Sequence, residues 1–389
     1  MTTPSEETPA RRHLSPRLVS VTLALLLCLL SWGGSSLPWG PLPPPGDLFS
    51  PVGGIWSVAR QARPPAREQI HLPGLTGEVT VQVDDLGVPH IFATSDEDAA
   101  LTLGYLHARE RLAQMDLQRR VASGTLSALV GTDGLDNDRL MRTVGLRRAA
   151  AASLEQMDPE EPTLKVLEAY SAGVNAYIQE AQPHRLPLEY KLLGVRSVEP
   201  WTPLDSATFG KFMAWELAHS WDDLFLAELV ASLGPEVVDE LYPMDRPYEV
   251  PMVDRWPPGG KRISGIGGRG SGIEATDAQP LTRVAAADIL GRARAAGQLH
   301  GREFPIGSNN WAVAADRSSE GVPLLSSDPH LGYQLPSLWY QAHLVTPEMK
   351  VTGVTLVGMP FVAIGHTDRV AWGLTNTQAD VVDYYVERT

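Results

Sequence analysis

Residues 304–313 read FPIGSNNWAV. They join a Gly-rich, aperiodic stretch to a run with the apolar and β-branched alternation of a strand. A strand that opens on Ser308, directly after Gly307, poses a chemical question as well as a structural one, and the surrounding sequence supplies the context for both.

Upstream, WPPGGKRISGIGGRGSG at 256–272 is rich in Gly, Pro and Ser and has no apolar period, so residues 257–272 read as a protease-accessible tract and 257–307 as a spacer. Gly265, Gly267 and Gly270 satisfy G-x-G-x-x-G. The dinucleotide-binding form of that motif needs a strand before it and a helix starting within it, and neither is apparent.

Downstream, NNWAVAADRSSEGVPLLSSDPHLGY, VTGVTLVG and FVAIGHTDRVAWGLTNTQADVVDYYVER alternate and are divided by turn clusters, which predicts an antiparallel sheet from about Ser308. The amino-terminal half differs. GEVTVQVDDLGVPHIFATS reads as a hairpin, with Val79, Val81 and Val83 alternating and Asp84 to Gly87 turning. Residues 96–124 then change to helical spacing, acidic at the start and ended by Gly124. Further helices are expected at 147–157, 162–181 and 206–233, with LPLEYKLLGVRSVEPWTP as an irregular connection. The fold class is therefore α+β, with a helical region at 70–250 before the strands of 308–389.

Composition narrows the function. The chain has 389 residues, enough for a sizeable core, and 32 basic against 46 acidic side chains give a net charge of -14, which argues against nucleic acid as partner. The single cysteine, Cys28, excludes an internal disulfide and a thiolate zinc site. It lies in LVSVTLALLLCLLSW at 18–32, which follows Arg11, Arg12 and Arg17 as an export signal does. Residues 1–45 are read as that signal, or as a membrane anchor over 18–37, running into the Pro-rich linker PWGPLPPPGDLFSPVGGIW. LLLC lacks the small residues that precede a lipidated cysteine.

There is no G-x-S-x-G, S-x-x-K, H-E-x-x-H or Walker A motif. His107 and Glu110 fall on one helix face, read as a partly exposed polar face rather than a metal site. Ser308 remains. A serine at a chain terminus carries its own base, because a freed α-amino group titrates at about 7.7 to 8.0 and can accept the hydroxyl proton.

With these motifs in view, the sequence resembles the penicillin acylases, N-terminal-nucleophile hydrolases made as a precursor and cut into two chains. The resemblance is carried in order by GVPHIFATSDEDAALTLGYLHARERLAQMDLQRR, GSNNWAV, SSDPHLGYQLPSLWY and GHTDRVAWGLTNTQADVVDYYVE, and runs from about residue 70 onward. It implies a four-layer αββα fold, partly encoded here, cleavage between Gly307 and Ser308, and Ser308 as the nucleophile. It further implies the backbone N–H of Asn376 as an oxyanion donor and His330 beside the nucleophile's amine.

No catalytic cofactor is implied. A structural Ca²⁺ site matches Asp380, Val382 and Asp383, but the first-chain glutamate that completes it aligns with Leu224, near Asp222, Asp223 and Glu228. The implied substrate is a small acylated amine, and the implied partner is the protein's own cleaved second chain. The family's second chain continues well past the position of Thr389, so the sequence reads as a fragment of such an enzyme, with a truncated, secreted, non-catalytic binding protein as the alternative.

The basic and apolar start predicts a protein found outside the cytoplasm with the region after residue 45 translocated. Fractionation of untagged protein checks this; cytosolic full-length protein that retains residues 1–40 is the contrary result.

Overall fold

The computed structural model describes residues 16–38, 43–50, 54–56, 67–182, 185–218, 222–242, 291, 307–331 and 334–376. Apart from residue 291 and Gly307, the 257–307 spacer lies outside them, as do Asp380, Val382 and Asp383. In chain order the helices used below are α1 (Pro16–Ser36), α2 (Pro45–Leu48), α3 (Asp96–Ser123), α4 (Ser127–Val130), α5 (Leu135–Val144), α6 (Leu146–Glu155), α7 (Pro162–Ala181), α8 (Leu188–Leu192), α9 (Pro203–Ala218), α10 (Asp222–Leu233) and α11 (Pro235–Leu241). The strands are β1 (Thr80–Val83), β2 (Pro89–Phe92), β3 (Gly307–Val313), β4 (Leu324–His330), β5 (Trp339–Val345), β6 (Lys350–Leu356), β7 (Val362–His366) and β8 (Ala371–Trp372).

The chain divides into two compact units, Met1–Gln69 with Ala181–Val198, and Ile70–Glu180 with Glu199–Thr389. The first contains α1, α2 and α8, and the irregular connection expected at 186–203 thus includes one short helix. Among the described residues no helix is long and apolar enough to cross a membrane, so the anchor reading of 18–37 gains no support.

The second unit is a mixture of helix and sheet, as expected for an α+β chain. Among the described residues its larger sheet has six strands in the order β1-β2-β5-β6-β7-β8, and β3 and β4 form a separate two-stranded ribbon. The hairpin β1–β2 and the later strands were read as separate features, yet β2 pairs with β5 in parallel, His90 opposite His343. Parallel pairing needs a crossover, and here the helical region provides it.

Local chemistry explains the long first helix. Ser95 caps it by accepting from the Asp98 N–H, three acidic residues occupy its first turn, and Gly124 ends it in the left-handed conformation. The Asp98 carboxylate also accepts from the Thr76 and Gly77 N–H groups and the Thr76 and Thr94 hydroxyls, which fastens the preceding segment to the helix. The expected single helix is broken at Arg111, whose φ of -141° is not helical; the Arg111 guanidinium and the Gln114 amide both donate to the Ser337 carbonyl. Within the helix predicted at 206–233 the structure describes α9 (Pro203–Ala218) and α10 (Asp222–Leu233), and residues 219–221 between them lie outside the described residues. Helix α5, which was not expected, is held by Asp138, whose buried carboxylate accepts from the Leu126 and Ser127 N–H groups.

Two glycines set the α3–α7 crossing. A Cβ on Gly104 would lie 2.2 Å from the Tyr170 carbonyl oxygen, and one on Gly173 would lie 1.8 Å from that of Leu101, so only glycine permits this approach. A hydrophobic cluster at the other end of α3 joins Val121, Leu126, Leu140 and Met141 to Phe209 and Phe212 of α9 and Leu356 of β6. Arg119 is buried beside it, bonded to Asp116 at 2.7 Å and to the Glu199 and Pro200 carbonyls, with its guanidinium 5.3 Å from the Trp201 ring.

His107 corrects an expectation. It is fully buried rather than on a partly exposed polar face. The Gly358 N–H donates to the Tyr170 hydroxyl at 2.9 Å, the Tyr170 oxygen lies 2.8 Å from His107 Nδ1, His107 Nε2 lies 3.0 Å from the Thr355 hydroxyl, and that hydroxyl donates to the Tyr340 carbonyl at 2.9 Å. With Tyr170 and Thr355 as donors at the two ends, every group is satisfied by one tautomer, neutral imidazole protonated on Nε2.

Burial, and then the nearby Arg111 charge, push the His107 pKa down to about 3, from an ordinary value of 6.5. Between those values the unfolded chain takes up a proton that the folded chain refuses, so the contribution of His107 is complete above pH 6.5 and is lost as pH falls towards 3. His107→Gln keeps hydrogen-bonding capacity but cannot charge. Urea denaturation across that range is expected to show a smaller acid loss of stability in the variant, by on the order of a few kcal/mol; equal losses would refute the assignment.

Candidate functional site

Ser308 is the second residue of β3, which pairs along its length with β4 in antiparallel register: Gly307 opposite His330, Ser308 opposite Pro329, Asn309 opposite Asp328 and Asn310 opposite Ser327. Side chains alternate along a strand and cross-strand partners share a face. Ser308, Asn310 and Ser327 therefore occupy one face of the ribbon, and His330 and Asp328 the other.

The Ser308 hydroxyl donates to the carbonyl oxygen of Gly307 at 2.6 Å, which holds Oγ against the peptide group that joins the two residues. The ring of His330 lies on the Gly307 side, with its Nε2 3.0 Å from the Asp328 carboxylate. Both side chains of that pair are exposed, so the interaction contributes little to stability.

The segment after β8 crosses the Ser308 face. The Trp372 indole donates to the Ala363 carbonyl at 3.0 Å and fixes its start. Gly373 then packs so closely that a Cβ there would meet Ser327 Cβ at 2.5 Å and Asn310 Oδ1 at 3.2 Å. Thr375 donates to the Ser308 carbonyl at 3.4 Å, and the Asn376 side-chain amide donates to the Leu217 carbonyl in α9. The structure thus brings the 373–376 segment alongside Ser308, and His330 alongside Gly307. The buried oxygens Asn310 Oδ1 and Ser327 Oγ find no partner among the described residues.

Sequence reasoning did not single out Thr375, Gly373, Asn310 or Ser327. An isolated glycine after a short strand is the signal for close backbone approach, and Gly373 carried it in WGLTN. Of the residues matched to calcium ligands, only Leu224 is described; it is fully buried and apolar. Among the described residues no three His, Cys, Asp or Glu side chains converge on a metal site.

The penicillin amidase family model matches residues 78–389. The chain belongs to this family. It is 32% identical over 330 residues to penicillin acylase 2 proenzyme from Pseudomonas sp. (strain SE83), covering 84% of this chain and 40% of that protein. To the acyl-homoserine lactone acylase QuiP from Pseudomonas aeruginosa it is 33% identical over 334 residues, covering 84% of this chain and 36% of that protein. A solved penicillin G acylase from Alcaligenes faecalis matches 46% of this chain and 97% of that chain, with 26% identity and a TM-score of 0.40. The chain thus spans less than half the length of the curated relatives it matches.

A glycine directly before Ser308 suggests unusual backbone angles at the peptide that joins them, but Gly307 does not have a positive φ. Gly307 lies in the extended strand β3, and a Cβ on it would make ordinary contact with His330 Nδ1 at 3.5 Å. Gly307→Ala is accordingly expected to change stability by no more than about 0.5 kcal/mol, as read by thermal unfolding. A loss above about 2 kcal/mol would show a demand for glycine that this strand geometry does not contain.

Proposed function

We propose that this protein hydrolyses the amide bond of an acylated amine through Ser308 after it becomes the first residue of a second chain. The activity is that of the full family architecture, a four-layer αββα hydrolase in which the chain's two cleaved parts stay together, and the protein acts after export. The observation that carries the reading is the 2.6 Å contact between the Ser308 hydroxyl and the Gly307 carbonyl, within a family motif at the start of a strand.

In the uncut chain the Ser308 nitrogen is an amide and cannot act as a base. Attack of Oγ on the Gly307 carbonyl carbon moves the acyl group from nitrogen to oxygen, and water then cleaves the ester, leaving a Gly307 carboxylate and a free Ser308 amine. On substrate, that amine accepts the Oγ proton as Oγ attacks the amide carbonyl. The proton passes to the leaving amine, and water releases the acid from the acyl-enzyme.

The developing oxyanion requires fixed donors. The family resemblance gives this role to the N–H of Asn376, and the bond of its neighbour Thr375 to the Ser308 carbonyl supports that reading. His330 is assigned to the amine side of the nucleophile, consistent with its pairing opposite Gly307. A calcium ion on Asp380, Val382 and Asp383 would need a further donor other than Leu224, so no step is assigned to it. Substrates are placed among β-lactam side-chain amides and acyl-homoserine lactones, the classes named for the relatives.

In the full-length protein Ser308→Ala is expected to give one uncut chain without amidase activity, and Ser308→Cys to retain cleavage because a thiolate is intrinsically a strong nucleophile. Mass spectrometry and amino-terminal sequencing check both. An active enzyme whose second chain begins anywhere but Ser308 would remove nucleophile and base together.

A further inference from the structure

The β2–β5 pairing places a second group of reactive side chains outside the Ser308 ribbon. His90 of β2 and His343 of β5 are direct cross-strand partners, and their Nδ1 atoms are 2.9 Å apart with the rings perpendicular. The register continues across the sheet through Thr352 to His366, so three histidines lie in one row. Both members of the close pair are only part-buried, and ions in solution can reach them.

Asp84, in the turn before β2, is built to act on this pair. Its Oδ1 accepts from the Leu86 and Val88 N–H groups at 2.9 Å each, and its Oδ2 lies 3.3 Å from His90 Nε2. An anionic Asp84 keeps the His90 proton on Nε2 and leaves the Nδ1 lone pair directed at His343. A carboxylate behind a histidine is the arrangement that orients metal-bound imidazoles.

We propose that His90 and His343 bind a borderline divalent transition-metal ion through their Nδ1 atoms, with Asp84 fixing the His90 tautomer and water completing the coordination. Two nitrogens bonded at about 2.0–2.1 Å and at right angles are about 2.9 Å apart, whereas a tetrahedral angle separates them by about 3.3 Å. The observed 2.9 Å lies within a small side-chain adjustment of both, so Ni²⁺ or Zn²⁺ fits the pair. On binding, the ring proton of His343 moves from Nδ1 to Nε2 through solvent, so both Nδ1 lone pairs face the ion and no net proton is released from a neutral pair.

The site joins residues on opposite sides of Gly307, so a bound ion would clamp the hairpin to the later strands. The proposal does not depend on the chemistry of Ser308.

Calorimetric titration of the protein with NiCl₂ tests it, with ¹⁵N shifts of the histidine rings as the second measurement. Expected are one saturable site, shifts at Nδ1 of His90 and His343, loss of that site in His343→Gln, and wild-type binding in His71→Gln as a control on adventitious surface histidines. Asp84→Asn, a turn substitution that leaves both ligands in place, is expected to weaken binding about 10- to 100-fold. No saturable binding by the folded wild type overturns the proposal, and so does binding that His343→Gln and Asp84→Asn leave unchanged.

Discussion

The buried neutral imidazole of His107 is the constraint around which the second unit is organised. Its two nitrogens face two hydroxyls, Tyr170 from α7 and Thr355 from β6, and those in turn are committed to the Gly358 N–H and the Tyr340 carbonyl. A helix, a second helix, two strands and a turn thereby share one directional chain of hydrogen bonds. In a low-dielectric interior a half-satisfied member would be costly, so each element has little freedom to shift without the others. The Gly104 and Gly173 contacts let α3 and α7 come close enough for that chain to close.

The same region spans the two sides of the proposed cut. Besides the relay, β2 pairs with β5, Thr346 donates to Asp96 at 2.6 Å, and Arg111 and Gln114 hold the Ser337 carbonyl. All of these are non-covalent links from residues before 307 to residues after it. Loss of one peptide bond at Gly307 would leave them intact, which is the physical condition for two chains to remain one domain.

The ribbon that carries Ser308 is anchored differently. Among the described residues it has no place in the six-stranded sheet, and Thr375 bonds its Ser308 carbonyl while the adjacent Asn376 bonds Leu217 in α9. Trp311, Val313, Leu324 and Leu325 on it are exposed. The hydroxyl of Ser308 is thus positioned chiefly by its own backbone, through the adjacent carbonyl.

The sequence by itself determined the elements whose signals are local: the β1–β2 hairpin from its alternation and its Asp84–Gly87 turn, the long helix from Ser95 to Gly124, and a strand opening at Gly307 and Ser308. It also determined the family, because four separated motifs retained their order. Tertiary structure alone decided the parallel joining of β2 to β5, since register between strands some 250 residues apart leaves no trace in either segment. It decided the break at Arg111, where the guanidinium reaches the Ser337 carbonyl and no helix-breaking residue stands in the sequence. The burial of His107 was likewise invisible, because spacing on a helix gives a face but not what covers that face. The neighbours of Ser308 were legible only as far as Asn376 and His330; Asn310, Ser327 and Thr375 became part of the site through a cross-strand register and a close glycine contact that exist only in the folded chain.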